Sequence, residues 1–305
     1  MSSSAPIDTS PPSATAADEQ PPAEDGWPGG LAGLRAELDR IDDALHALLI
    51  ERAQVVERVA KSGKRSAYRP GREASIIRRL LRQHTGGLPP QTLVRMWREM
   101  LAGTTSMQAP FAVAVCEPDG GNSFTQVARE HFGVLTPLHA YGRAAQAMAD
   151  VSRGSAAVAV MPIPSETDTA RDAWWTGMLQ HEQPRMHVVA RLPFWAPRPD
   201  GAPGVQALVL ATTPPDASER DRSVVGGELD LDVSRARLTT ALNAAGLTPD
   251  TVILRRDQGA PVAHVLVEVE GFLADADPRL IGLARVLRQP IVLGAYAVPE
   301  TGGAA

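Results

Sequence analysis

The 305-residue sequence predicts a multi-domain chain of α plus α/β class: an all-α segment of three helices, then an α/β region closing in a β-α-β-β-α-β module. Two observations carry this. Apolar residues recur at spacings of three and four from Leu34 to Val59, the stripe of an amphipathic helix. Beyond Pro110, short apolar strands alternate with helical stretches. Length agrees, since roughly 150 residues per domain gives about two domains, and a hydrophobic content of 44% is enough to fill their cores.

Residues 1–26 are Ser, Pro, Ala, Asp and Glu with almost no large apolar side chain. Such a stretch cannot bury enough surface to offset ordering entropy, so residues 1–30 are expected to be a disordered tail. They carry no Lys or Arg and no apolar run, so no secretory leader is expected, and the default compartment is the cytoplasm. No apolar run is long enough for a membrane span. A single cysteine, Cys116, excludes a disulfide framework and a cysteine-based zinc site.

From Leu34 to Ser62 neither Pro nor Gly interrupts the helical pattern. A helix of that length spans roughly 42 Å, too long for one small domain to cover, so it should pack along a partner subunit's helix. A second helix is expected over Arg72–Gln83 after Pro70, with Glu73 near its positive end. Gly86-Gly87 and Pro89-Pro90 end it, and a third helix follows over Gln91–Gln108. Residues 31–108 hold 14 Lys and Arg against 8 Asp and Glu, while the whole chain carries −5. A basic segment in an acidic chain calls for a small polyanion more than for nucleic acid.

Phe111–Cys116, Ala156–Met161 and Val205–Ala211 read as strands, and Asn122–Phe132 and Ala144–Arg153 as helices. Residues 164–204, rich in Pro, Trp and polar residues, give no clear assignment, and Trp174 and Trp175 read as packing. Then come a helix (Ser234–Ala245), two strands (Thr251–Arg256, Val262–Glu270), a helix (Pro278–Arg288) and a strand (Ile291–Tyr296). With a strand before Ser234 this is a ferredoxin-like layout.

Cationic side chains stand beside the apolar stripes: Arg35, Arg52, Lys61, Lys64 and Arg72, with Thr104 and Gln108 one turn apart near the end of the third helix. No nucleophile or metal spacing accompanies them, which points to electrostatic catalysis or anion binding.

"LRAELDRIDDALHALLIERAQVVERV", then "RPGRE", then a third helix ending "TTSMQ" resemble an AroQ-class chorismate mutase over residues 31–108. The resemblance implies a three-helix subunit in an intertwined homodimer. It implies the Claisen rearrangement of chorismate to prephenate, with no cofactor and no metal. By the same resemblance Arg35 reaches into the partner's site and Arg52 holds a substrate carboxylate. Glu73 holds the ring hydroxyl with Arg72 beside it, and Gln108 meets the ether oxygen with Thr104 one turn before. The family lysine falls where this chain has Gly63, so Lys64 is favoured for it, with Lys61 close behind. Isochorismate pyruvate lyase shares the helical fold and polar shell and stays open.

Residues 111–300 resemble prephenate dehydratase more poorly. "EPDGGNSFTQVAREHFG" and "AVAVMPIPSE" follow that family's order, and "RLTTALNAAGL" through "HVLVEVEGFL" to "IVLGAY" is similar to its ACT module. The departures are larger. The catalytic Thr-Arg-Phe is replaced by Val205-Gln206-Ala207-Leu208, Asn122-Ser123-Phe124 lacks Gly-Thr, and the span between "MHVVARLPF" and "VQALVLAT" is too short for a second lobe. Leu254-Arg255-Arg256-Asp257 stands where the effector signature is expected, which argues against phenylalanine binding. The expected organisation is therefore a tail (1–30), a mutase segment (31–108), a degenerate dehydratase-like region (109–204) and an ACT-like segment (205–300). The alternatives are a bifunctional mutase and dehydratase, and a non-catalytic regulatory relative.

Overall fold

The computed structural model describes residues 30–62, 67–180 and 183–301. The expected tail lies outside the described residues, apart from Gly30, and so does Lys64. The chain divides into two compact units, residues 1–54 and 55–305.

Most of α1 (Gly30–Lys61) belongs to the first unit. It starts four residues before the expected helix. The 32-residue helix buries none of its residues, and Leu38 and Leu48 are each 61% exposed. Helices in proteins draw most of their stability from packing an apolar face. Here that face is bare from Leu34 through Leu45 to Val55.

In the second unit α2 (Pro70–Gln83) and α3 (Pro90–Ser106) each begin with proline, whose missing N–H costs nothing in a first turn. Then follow β1 (Val113–Cys116), α4 (Ser123–Phe132), β2 (Leu138–Tyr141), α5 (Ala144–Ser152) and β3 (Val158–Pro162). A 3-10 turn (Trp174–Leu179) leads to β4 (His187–Leu192), β5 (Trp195–Ala196) and β6 (Ala207–Ala211). The remaining elements are β7 (Asp221–Asp230), α6 (Arg235–Ala244), β8 (Pro249–Arg255), β9 (Val262–Glu270), α7 (Arg279–Leu283), β10 (Arg288–Ala297) and β11 (Glu300–Thr301).

Among the described residues nine strands form one sheet in the order β2-β1-β3-β6-β4-β10-β7-β9-β8. β1 runs parallel to β2 and β3, as βαβ crossovers require. β6 lies antiparallel between β3 and β4. The β-α-β-β-α-β module is therefore counted from Asp221 rather than from 205, because Ala207–Ala211 pairs outside it. Its four strands run β10-β7-β9-β8, the ferredoxin-like order expected.

α7 is shorter than the helix expected over Pro278–Arg288. Leu287 is fully buried and Arg288 already pairs with Glu228 on β7, so the chain turns out of the helix before it. Trp174 and Trp175 pack in the core, as expected, with Trp175 fully buried. One core joins α2 and α3 to the sheet region through Ala74, Ile77, Val94, Leu101, Phe194 and Ala297. Among the described residues no helix is long and apolar enough to cross a membrane.

Candidate functional site

On α1 the stripe spacing sets the polar positions. Arg35 is exposed. Arg52 is half-buried, and burial lowers its guanidinium pKa from the usual value. Lys61 is the last residue of α1 and is exposed.

On α2 Arg72 is exposed and Glu73 is buried. Glu73 has a partner the sequence reading did not single out: Arg98 of α3 donates to its Oε2 at 3.0 Å. Burial raises the Glu73 carboxyl to about 7, with the Arg98 guanidinium opposing and Asp216 adding to the rise. Tyr68 Oη stands 3.2 Å from His131 Nε2, and Arg98 approaches the same nitrogen at 3.5 Å. The other ring nitrogen, Nδ1, is buried without a partner. Burial, with Arg98 adding to it, holds His131 well below its usual value.

α3 ends at Ser106, short of the expected Gln108, which lies in the turn that follows; the Gln108 amide donates back to the Thr104 carbonyl at 3.0 Å, using one of its two N–H donors. Thr104 Oγ1 turns back to the carbonyls of Met100 and Leu101, so Thr104 is held by its own helix and Gln108 by Thr104. Beside it lies a cavity of about 560 Å³ lined by Tyr68, Pro70, Ser106, Ala109, Val158 and Thr212 among others. Among the described residues no charged side chain lines it.

Three residues outside the predicted set organise α2 and α3 in the second unit. Arg98 pairs with Glu73. Arg78, 5% exposed, donates to Glu300 Oε1 at 2.6 Å, to the Ser218 carbonyl at 2.7 Å and hydroxyl at 3.0 Å, and to the carbonyls of Arg220 (3.1 Å) and Val298 (2.6 Å). Asp216 meets the start of α2. A signal for the arginines existed: Arg78 follows Ala74 by four and Arg98 follows Val94 by four, each on a buried stripe where a cation needs a partner. Asp216 had none.

These features define a class: a three-helix basic segment ahead of an α/β sheet, with its helices partly built into the sheet's core. Residues 34–109 match the family model of type II chorismate mutase. The bifunctional chorismate mutase/prephenate dehydratase of Pseudomonas aeruginosa is 29% identical over 164 residues, covering 50% of this chain and 44% of that protein. Its namesake in Neisseria gonorrhoeae is 30% identical over 136 residues, 44% of this chain and 37% of that protein. The chain thus spans less than half the length of the curated relatives it matches. Among solved structures, prephenate dehydratase from Arthrobacter aurescens in complex with L-Phe aligns with TM-score 0.46 and 12% identity, over 61% of this chain and 90% of that one. A quorum quenching acylase, GqqA, aligns with TM-score 0.45 and 15% identity, over 62% of this chain and 95% of that one. Likenesses this distant decide nothing about function.

Proposed function

We propose that the chain is a chorismate mutase acting as a homodimer, converting chorismate to prephenate. The observation that carries this is the match of residues 34–109 to the type II chorismate mutase model, which begins one residue before Arg35 and ends one after Gln108. Arg35 and Arg52 hold the two substrate carboxylates, which supplies orientation before the reaction. Partial negative charge grows on the ether oxygen as the C–O bond breaks. Gln108 and one of Lys61 and Lys64 stabilise it more in the transition state than in the substrate. Thr104 anchors Gln108 through its carbonyl. Arg72 adds positive charge, and Glu73 enters with Arg98 attached, as the acid for the ring hydroxyl. The bare stripe of α1 supports the homodimer, since a 32-residue helix with no buried residue lacks its packing face.

The test is incubation of the pure protein with chorismate and identification of products by chromatography and mass spectrometry. Prephenate alone is expected. Untouched chorismate would refute the reading, and conversion of isochorismate would move it to a lyase. The names of the relatives favour a second reading, a mutase with dehydratase activity, and phenylpyruvate above the uncatalysed background would establish it.

A further inference from the structure

We propose that Asp216, on the loop between β6 and β7, is a positioning residue for the mutase site: it holds the first turn of α2 and thereby sets Arg72. The inference rests on the mutase reading above and adds to it a residue from outside the family segment.

The first turn of α2 lacks a cap of its own. Arg69, at the N-cap, offers no side-chain acceptor, and Pro70 has no N–H. Gly71 and Arg72 are left with free backbone donors. Asp216 takes both: Gly71 N donates to Oδ1 at 3.1 Å and Arg72 N donates to Oδ2 at 3.2 Å. The Arg69 guanidinium donates to Oδ2 at 3.1 Å as well. A carboxylate at this point also meets the positive end of the helix dipole.

The approach is close enough to dictate the sequence. A Cβ at position 71 would lie 2.2 Å from the Asp216 carbonyl oxygen, so only glycine fits between Pro70 and Arg72. Further along α2, Arg78 ties the helix to residues 218–220 and to Val298 and Glu300. The third turn is thus fixed by Arg78 and the first by Asp216. Arg72 is exposed, so its guanidinium is placed by the backbone that carries it rather than by neighbours. A guanidinium that is no longer held in place binds the substrate less well in the ground state and the transition state alike. The α/β region therefore acts on the site through this loop.

The test uses the full chain with Asp216→Ala and Asp216→Asn. Asp216→Ala is expected to raise KM for chorismate about tenfold with kcat changed less, the split expected when ground-state binding is lost. Hydrogen exchange of the Gly71 and Arg72 amides should speed up in the same protein. Asp216→Asn should recover part of both effects, because the amide oxygen still accepts one N–H while the charge is gone. It also gives the readout if Asp216→Ala does not fold. A purely structural role would lower the melting temperature and leave KM intact. KM within twofold of wild type in both variants, or unchanged exchange at α2, overturns the proposal. A wild-type chain that leaves chorismate untouched overturns the mutase reading instead, and the amide exchange still decides whether Asp216 holds α2.

Discussion

Replacing Arg78 by leucine tests how firmly the helical segment is built into the rest of the second unit. The substitution keeps an apolar stem and removes a guanidinium that makes five hydrogen bonds. Three of its acceptors are backbone carbonyls, those of Ser218, Arg220 and Val298. A buried acceptor left without a donor costs about 1–3 kcal/mol. Two effects reduce the total. Arg220 still donates to Glu300 at 2.8 Å, so that carboxylate is not stranded, and Val298 N still donates to the Arg220 carbonyl at 2.9 Å. Removing a guanidinium also relieves its own desolvation, and well-packed apolar replacements of whole buried ion pairs can be neutral. Here only one partner is removed, so the loss wins. The expected destabilisation is about 3–5 kcal/mol, the range for breaking a buried pair. In a unit of this size that lowers the melting temperature by about 10 °C. Urea denaturation should show a lower midpoint with an unchanged m-value. A loss below about 1 kcal/mol would refute the argument, because the guanidinium's desolvation would then have offset its bonds.

Arg52→Ala should lower kcat/KM for chorismate about 30-fold to 1,000-fold, as expected for a lost carboxylate contact of about 2–4 kcal/mol, while the far-ultraviolet circular dichroism stays unchanged. Near-normal turnover would remove Arg52 from the site. Mixing inactive Arg35→Ala and Arg52→Ala chains should restore activity if each site draws on two subunits, and no recovery after demonstrated subunit exchange would refute the shared site. Two variants separate the pH dependence of the buried cluster. Glu73 is raised from 4.5 to about 7, so its contribution to stability is complete below pH 4.5 and lost as pH rises through 7. His131 is lowered from 6.5, so its contribution is complete above pH 6.5 and lost on acidification through its folded value. Urea midpoints of Glu73→Gln should therefore fall on acidification below pH 6.5, and those of His131→Phe should fall between about pH 5 and about pH 8. Parallel profiles in the two variants would contradict these assignments.

The helical segment was legible because each helix has its own period and punctuation: the stripe from Leu34, Pro70 before α2, and Pro89-Pro90 before α3. The core strands β1, β3, β6 and β9 were legible as apolar runs. β2 was not, because Leu138–Tyr141 is a half-exposed edge strand whose composition shows no burial. β4 was missed although Val188 and Val189 are buried, because Pro, Trp and charged residues surround it. β7 was inferred only from the module's order. Its Gly226-Gly227 pair suggests a turn, yet a Cβ at 226 would meet Leu179 at 2.4 Å and one at 227 would meet Leu287 at 2.7 Å. Among the candidate site residues, the sequence pattern singled out those that follow helical spacing. Asp216 and the acceptors of Arg78 come from distant loops, and spacing carries no information about them.

The fastening of α2 also has a consequence in time. Arg78 is bonded to Val298 and Glu300, which follow it by 220 and 222 residues. β4 likewise gains its neighbour β10 only when residues near Gly294 are made. On the ribosome the helices α2 and α3 therefore emerge long before the groups that hold them. For that interval Arg78 lacks its native acceptors and β4 presents an open strand edge, a template for pairing with other chains. The nascent protein is thus most exposed to aggregation until its final strands arrive, and those strands complete the helical segment as well as the sheet.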